Sequence, residues 1–264
     1  MIYFLADMHL GARYEAHPRE HEQRVVDTLR RMGRDATEIY LLGDALDFWF
    51  EYRSVVPRGF VRFFGELARL ADSGVKLTWV RGNHDMWIFD YLPSEIGLEV
   101  VDGPIIRELH GKRFFLDHGD GVGERPLDFR ILRRVFRNKL CRRLYASVHP
   151  RWTMAIAHGW SAGSRKAGLK SPGALRVTDP AAEPLVAFSR EYEADPATPH
   201  VDFFIYGHRH APVDVTVGTD SRVIILSDWI TAPGDYAAFD GENIRVIQAP
   251  GADAYNENIK QDTL

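Results

Sequence analysis

Five short signatures in this chain of 264 residues carry side chains of the kinds that bind divalent metals. They are Asp7-Met8-His9, Gly43-Asp44-Ala45-Leu46-Asp47, Gly82-Asn83-His84-Asp85, His118-Gly119-Asp120 and Gly207-His208-Arg209-His210. Carboxylate oxygen, imidazole nitrogen and amide oxygen are the donors that hard and borderline cations take. The candidate ligands are therefore Asp7, His9, Asp44, Asn83, His118, His208 and His210. Two ions roughly 3.5–4 Å apart need a shared ligand, and a carboxylate is the natural bridge. Asp44 is the best candidate for it, because it lies between the other clusters in sequence. Any one signature alone is weak, since a histidine after a strand is usually a surface or satisfied residue. Together, in this order, they imply a two-metal site that hydrolyses phosphate esters or anhydrides.

Such a site needs elements that bring distant residues to one edge. Apolar runs at 2–6, 38–42, 76–80 and 201–206 each read as a buried strand, and each stops just before a candidate ligand. The 113–117 run, which ends at His118, pairs with 105–109 across the turn His110-Gly111-Lys112. Helical spacing marks 20–32 and 60–71, the second closed by Gly74 as its C-cap. Alternating strands and helices predict a largely parallel sheet in the first half. Segments 213–217, 222–226, 236–240 and 244–248 predict a β-rich second half. Strand carboxyl ends in such folds converge on one crevice, so all the candidate ligands can meet there. Gly43, Gly82, Gly119 and Gly207 adjoin candidates where the backbone must turn or approach a ligand closely. His17, His21, His110, His149, His158 and His200 fit no such pattern and are expected to be surface or locally satisfied.

Composition narrows the classes. Hydrophobic residues make up 45% of the chain, enough for a sizeable core. Cys141 is the sole cysteine, which excludes a disulfide framework and thiolate zinc sites and points to a reducing compartment. The N-terminus has no basic leader segment and reads as a first strand. No stretch approaches the ~20 apolar residues that span a bilayer, so a soluble or peripheral protein is expected.

The formal net charge of -4 is unevenly spread. Twelve arginines and lysines lie between Arg125 and Lys170 against one acid, Asp128. That segment carries +11 and suggests an anionic partner. Within it Leu132, Val135/Phe136, Leu140, Leu144 and Val148 recur at intervals of about four, as on one apolar face of a helix. An inserted basic, apolar helical cap is expected at 125–170, with the core at 1–124 and 171–249 and a polar tail at 250–264.

The ligand set resembles that of the calcineurin-like metallophosphoesterase superfamily. The resemblance implies an α+β (α/β) fold, a four-layer α/β/β/α sandwich of two mixed sheets. It implies one ion held by Asp7, His9, Asp44 and His210, and a second by Asp44, Asn83, His118 and His208. It also implies that His84 contacts the leaving-group or a phosphoryl oxygen and that Asp85 orients it. A narrower likeness rests on Gly43-Asp-Ala-Leu-Asp-Phe-Trp-Phe-Glu-Tyr52, His118-Gly-Asp120 and the basic cap. Over roughly residues 1–248 the chain is similar to the UDP-2,3-diacylglucosamine diphosphatase family of lipid A assembly, in its Bacteroidetes-like form. His84 is a departure, because better-studied members carry arginine there.

That family implies pyrophosphate cleavage to UMP and a diacyl sugar monophosphate, with manganese as the usual metal. Substrate contacts are expected from Asn83, His84 and His208 and, in the cap, from Ser161, Arg165 and Lys166. The expected partners are a lipid-linked sugar nucleotide and an anionic membrane surface. The expected location is the cytoplasm, peripheral on the cytoplasmic face of the inner membrane. A relative acting on nucleotides or nucleic acid is the competing reading. The apolar stripe opposite the cap's cations favours a lipid phosphate over a bare phosphate backbone, so no nucleic acid is expected.

Overall fold

The computed structural model describes residues 1–123, 127–155, 159, 179–231 and 233–250, with the side chains of 127–130 excepted. The first sheet has the order β11-β10-β1-β2-β3-β4. Its strands β1 (Ile2–Leu5), β2 (Glu38–Leu41), β3 (Lys76–Val80) and β4 (Glu99–Val101) are parallel neighbours. The hairpin β10 (Asp235–Phe239) and β11 (Ile244–Gln248) adds antiparallel beside β1. The second sheet runs β5-β6-β7-β9-β8. There β6 (Lys112–Leu116), β7 (Phe203–Tyr206) and β9 (Ser221–Ile225) are parallel, flanked by antiparallel β5 (Ile105–Leu109) and β8 (Val213–Val217). The largely parallel first part and the β-rich second part are both present, with β5–β6 in the second sheet; the one difference is that the last hairpin returns to complete the first sheet.

Alternation of side chains along the strands builds the layers. Ile2, Phe4 and Ala6 point between the sheets, where they meet Phe114, Leu116, Ile205 and Ile224. Tyr3 and Leu5 point outward against α1 (Pro18–Met32) and α2 (Val61–Asp72), which supply Val25, Leu29, Phe63 and Leu67. Helix α1 starts with Pro18 at its first turn, where a missing N–H costs nothing. Ser73 caps α2, and Gly74 follows in the left-handed region at φ +91°. On the far side of the second sheet α6 (Pro184–Ala194) lays Leu185 and Val186 on Phe115, Phe204 and Ile225. The result is a four-layer α/β/β/α sandwich. The short helix α3 (Tyr91–Ile96) closes the loop after β3.

The basic segment begins with α4 (Leu127–Arg137) and α5 (Lys139–Ser147), and the expected single apolar face does not form. Asn138 is extended, and its side chain accepts from the amides of Leu140 and Cys141, so the helix restarts there. The break separates the stripe. Phe136 turns inward with Tyr145 and Met154 onto Phe48, Phe50, Met86 and Trp87. Leu140 and Leu144 stay 64% and 61% exposed, and Trp152 is 62% exposed. The pair is anchored by Trp87 Nε1 donating to the Phe136 carbonyl (2.9 Å) and by the ion pairs Arg133–Asp120 (3.0 Å) and Arg137–Asp102 (3.2 Å). Ser161, Arg165, Lys166 and the tail from 251 lie outside the described residues. Among the described residues no helix is long and apolar enough to cross a membrane.

Candidate metal centre

Three parallel strands of each sheet end at the same crevice. Asp7, Asp44 and Asn83 follow β1, β2 and β3, whereas His118 and His208 follow β6 and β7. The loops are laced by backbone hydrogen bonds: Asp7 N to Gly43 O (3.1 Å), His9 N to Asp44 O (2.8 Å) and Gly207 N to His118 O (3.0 Å). One further bond crosses between the sheets, from His208 N to Asp7 Oδ2 (2.7 Å).

The backbone here is unusual. Of the seven described non-glycine residues with positive φ, five are candidate ligands: Asp7, His9, Asp44, His208 and His210. Each such residue costs of order 1–3 kcal/mol unless its surroundings hold it. Two neighbouring glycines make the close approach possible. A Cβ on Gly82 would strike the Asp44 carboxylate, and one on Gly207 would strike that of Asp7.

Side chains form a bowl with a buried floor of Asp7, His9, Asp44 and His118. Asn83, His84, His208 and His210 are partly exposed at its rim. Nε2 of His9 is 3.6 Å from Asp7 Oδ1 and 3.9 Å from Asp44 Oδ2. Nε2 of His210 is 3.9 Å from Asp7 Oδ1. On the other side, His118 Nε2 is 3.3 Å from Asp44 Oδ2 and 3.1 Å from Asn83 Oδ1. The ring of His208 stands edge-on to that of His118, with centroids 5.1 Å apart. Asp44 Oδ2 thus faces both groups, while Asp44 Oδ1 accepts the His84 amide (2.8 Å).

The donors fit divalent cations on three grounds. Asp7 Oδ1 and His9 Nε2 are buried without a hydrogen bond. Their separation matches two ligands of one ion, which lie roughly 3.0–3.6 Å apart when each bond is about 2.1 Å. Second, on three of the rings the far nitrogen faces an oxygen of the surrounding chain. Nδ1 of His118 meets the Leu42 carbonyl (2.9 Å), Nδ1 of His9 faces Asp47 Oδ1 (3.5 Å) and Nδ1 of His210 faces Asp228 Oδ2 (3.3 Å). That arrangement turns Nε2 inward as a ligand. Third, the field demands positive charge. Burial pulls the pKa of His9 down, but Asp47, Asp7 and Asp44 outweigh it and lift it to about 10. Burial likewise disfavours a charged His118, yet Asp44 beside it drives its pKa well up. Asp44 is held well below the usual carboxylate range by His118, His84 and His9 despite its burial. Cations at these nitrogens would meet the same demand and displace the protons.

One assignment shifts in detail. Asp85 does not orient His84. Its fully buried carboxylate accepts from Gly82 N (2.8 Å), Ala45 N (3.0 Å) and Trp79 Nε1 (3.1 Å), tying the Asp44 and Asn83 loops together. Burial first and the nearby Asp44 second raise its pKa to about 6. The ring of His84 is instead oriented by the Asp47 carbonyl, 2.8 Å from its Nδ1. Asp47 and Asp228 are the residues that motif reading passed over. Asp47 was visible three residues beyond Asp44, and Asp228 follows β9 just as the candidate ligands follow their strands. Of the histidines expected to be locally satisfied, His21 bonds the Met8 carbonyl (2.6 Å) and Arg24 (2.9 Å). His200 pairs with Glu193 (2.8 Å).

Asp228→Ala is expected to lower metal affinity about 10–100-fold, the usual effect of losing a partner that orients a ligand. Titration of the metal-free protein with a divalent cation checks this. An unchanged affinity would remove Asp228 from the support of His210.

A fold of two facing mixed sheets with this donor set defines a metallophosphoesterase. The profile of the calcineurin-like phosphoesterase family matches residues 1–212, and the chain belongs to that family, whose members use divalent metal ions. It is 44% identical over 252 residues to the UDP-2,3-diacylglucosamine hydrolase of Porphyromonas gingivalis, covering 92% of this chain and 95% of that one. A protein of the same name from Pseudomonas putida is 28% identical over 87% of this chain and 91% of its own length. Among solved structures, a dimetal phosphatase from Danio rerio aligns with a TM-score of 0.40 and 17% identity, over 94% of this chain and 98% of that one.

Proposed function

We propose that this chain hydrolyses the pyrophosphate bond of UDP-2,3-diacylglucosamine to UMP and 2,3-diacylglucosamine 1-phosphate, a step of lipid A biosynthesis. The observation that carries this reading is 44% identity across nearly the whole of both chains to a hydrolase of that compound. Asp7, His9, Asp44 and His210 would hold one ion, and Asp44, Asn83, His118 and His208 the other, with Mn²⁺ the expected metal. Such ions, when bound, polarise phosphoryl oxygens and acidify water. The residues of the chain do the rest. Asp44 sets the spacing of the two groups. His84, held through Nδ1, presents Nε2 to the bowl, where it contacts the leaving-group or a phosphoryl oxygen. Asp85 acts at a distance, by fixing the loops that carry Asp44 and Asn83.

The cap at 125–170 takes the acyl chains, with Ser161, Arg165 and Lys166 as phosphate contacts. Exposed Leu140, Leu144 and Trp152 lie among Arg142, Arg143 and Arg151, a surface suited to lipid and to an anionic membrane. The enzyme then works in the cytoplasm at the periphery of the inner membrane.

Each buried methylene contributes about 0.8 kcal/mol, so ten of them amount to about 8 kcal/mol. UDP-2,3-diacylglucosamine should accordingly be hydrolysed several orders of magnitude better, in kcat/KM, than UDP-N-acetylglucosamine. Leu140→Gln with Leu144→Gln should cut that preference about tenfold or more without lowering Tm. Phe136→Ala should lower Tm, because Phe136 packs on the core. Equal kcat/KM values for the two substrates, or a preference for nucleic acid, would overturn the lipid reading and leave the metal site standing.

A further inference from the structure

A cavity of about 460 Å³ opens beside the bowl, between the loop that follows His9 and the segment leading into α2. It begins next to the metal-type donors. Its lining residues Leu10 and Phe48 directly follow His9 and Asp47. Phe48, Phe60 and Met154 give it an apolar interior. Arg13, Arg19, Arg58 and Arg62, all exposed, give it charge. Among the described residues none of these four guanidinium groups has a carboxylate partner. The acid in the lining, Glu22, is already engaged, because its Oε1 accepts the amides of Arg62 and Phe63 (3.2 Å each).

Backbone strain marks the same place. Phe60 is a bulky residue in the left-handed region at φ +60°, where only a demanding environment keeps such a side chain. Its ring lies on Gly11, whose added Cβ would come within 2.7 Å of Phe60 Cζ. Gly11 itself sits at φ +86°. The chain thus uses two left-handed residues to set one aromatic ring at the cavity wall.

We propose that this cavity holds the nucleotide half of the substrate, a nucleoside 5′-monophosphate, with its base on Phe48 and Phe60 and its phosphate toward the arginines. The inference rests on the function proposed above and names the subsite that the nucleotide half occupies. Guanidinium forks match phosphate oxygens two at a time, and aromatic faces accept any base. The volume falls in the range of small-molecule sites. A second cavity, of about 700 Å³, is larger but unsuited. Its lining sets Glu51 and Asp90 against the single cation Arg53, a balance that repels a phosphate.

The test is calorimetric titration of the metal-loaded full chain with UMP, and separately with 2,3-diacylglucosamine 1-phosphate. Arg58→Ala with Arg62→Ala is expected to weaken UMP binding about tenfold or more while leaving the acyl sugar phosphate within about twofold. The corresponding lysine pair should recover part of the loss. Should the alanine pair fail to fold, Arg13→Ala with Arg19→Ala probes the same cavity from its other side. Wild-type protein that does not bind UMP, variants that bind it unchanged, or equal loss of both ligands would each overturn the assignment. Hydrolysis of the intact lipid substrate is scored apart. Its absence with UMP binding retained would remove the lipid reading and keep the nucleotide subsite.

Discussion

Asp44→Asn is expected to lower turnover by about 10³-fold or more and to reduce bound divalent metal below two ions per chain. Several kcal/mol of transition-state stabilisation by paired cations would be lost, and each 1.4 kcal/mol is a factor of ten. The placement of one atom sets this expectation. Asp44 Oδ2 lies within 3.9 Å of Nε2 of both His9 and His118, so it faces both halves of the bowl. Asparagine keeps the volume, and its oxygen can still accept the His84 amide that Asp44 Oδ1 now binds. The fold should therefore survive, which circular dichroism would confirm. Metal analysis of the purified variant, read beside its rate, decides the matter. Two ions per chain with wild-type turnover would end the bridging role.

His84→Ala should lower kcat by roughly 10²–10⁴, the usual range for a lost acid–base group, with both ions retained. His84 Nε2 stands 3.9 Å from Asp44 Oδ2, and His9, Asp44 and His84 are close enough together to share a cation. Geometry alone thus allows a ligand as well as a proton donor. Metal content separates them. A parallel loss of ions and rate would make His84 a ligand, and an undiminished rate would remove it from the chemistry.

Much of this candidate centre is legible in the sequence. Apolar runs that stop at Asp7, Asp44, Asn83, His118 and His208 are local signals, and strand ends in parallel sheets are forced toward a common edge. What the sequence did not disclose was non-local. The partner of the β10–β11 hairpin is β1, more than two hundred residues away, and nothing in the hairpin's own alternation names it. Helix α3 and strand β4 are six and three residues long, too short for periodicity to register. Phe136 and Leu140 share a helical stripe on paper, yet the amide-capping side chain of Asn138 breaks the helix between them and sends them to different environments. The family resemblance implies that Asp85 orients His84. Burial instead turned its carboxylate toward three N–H groups, a demand that sequence neighbours do not reveal.

The pairing of β1 with β10, two strands from opposite ends of the chain, has a consequence during synthesis. Strand β1 gains β2 early, but its other edge stays open until Asp235–Phe239 has left the ribosome. An unpaired apolar strand is a template for association with other nascent chains. A chain arrested before the last hairpin would expose β1 and should aggregate. Asp7 follows that same strand, so the first candidate ligand made depends on an edge that is paired late. All the candidate ligands are made by His210, yet the sheet that carries Asp7, Asp44 and Asn83 is completed only by the last hairpin.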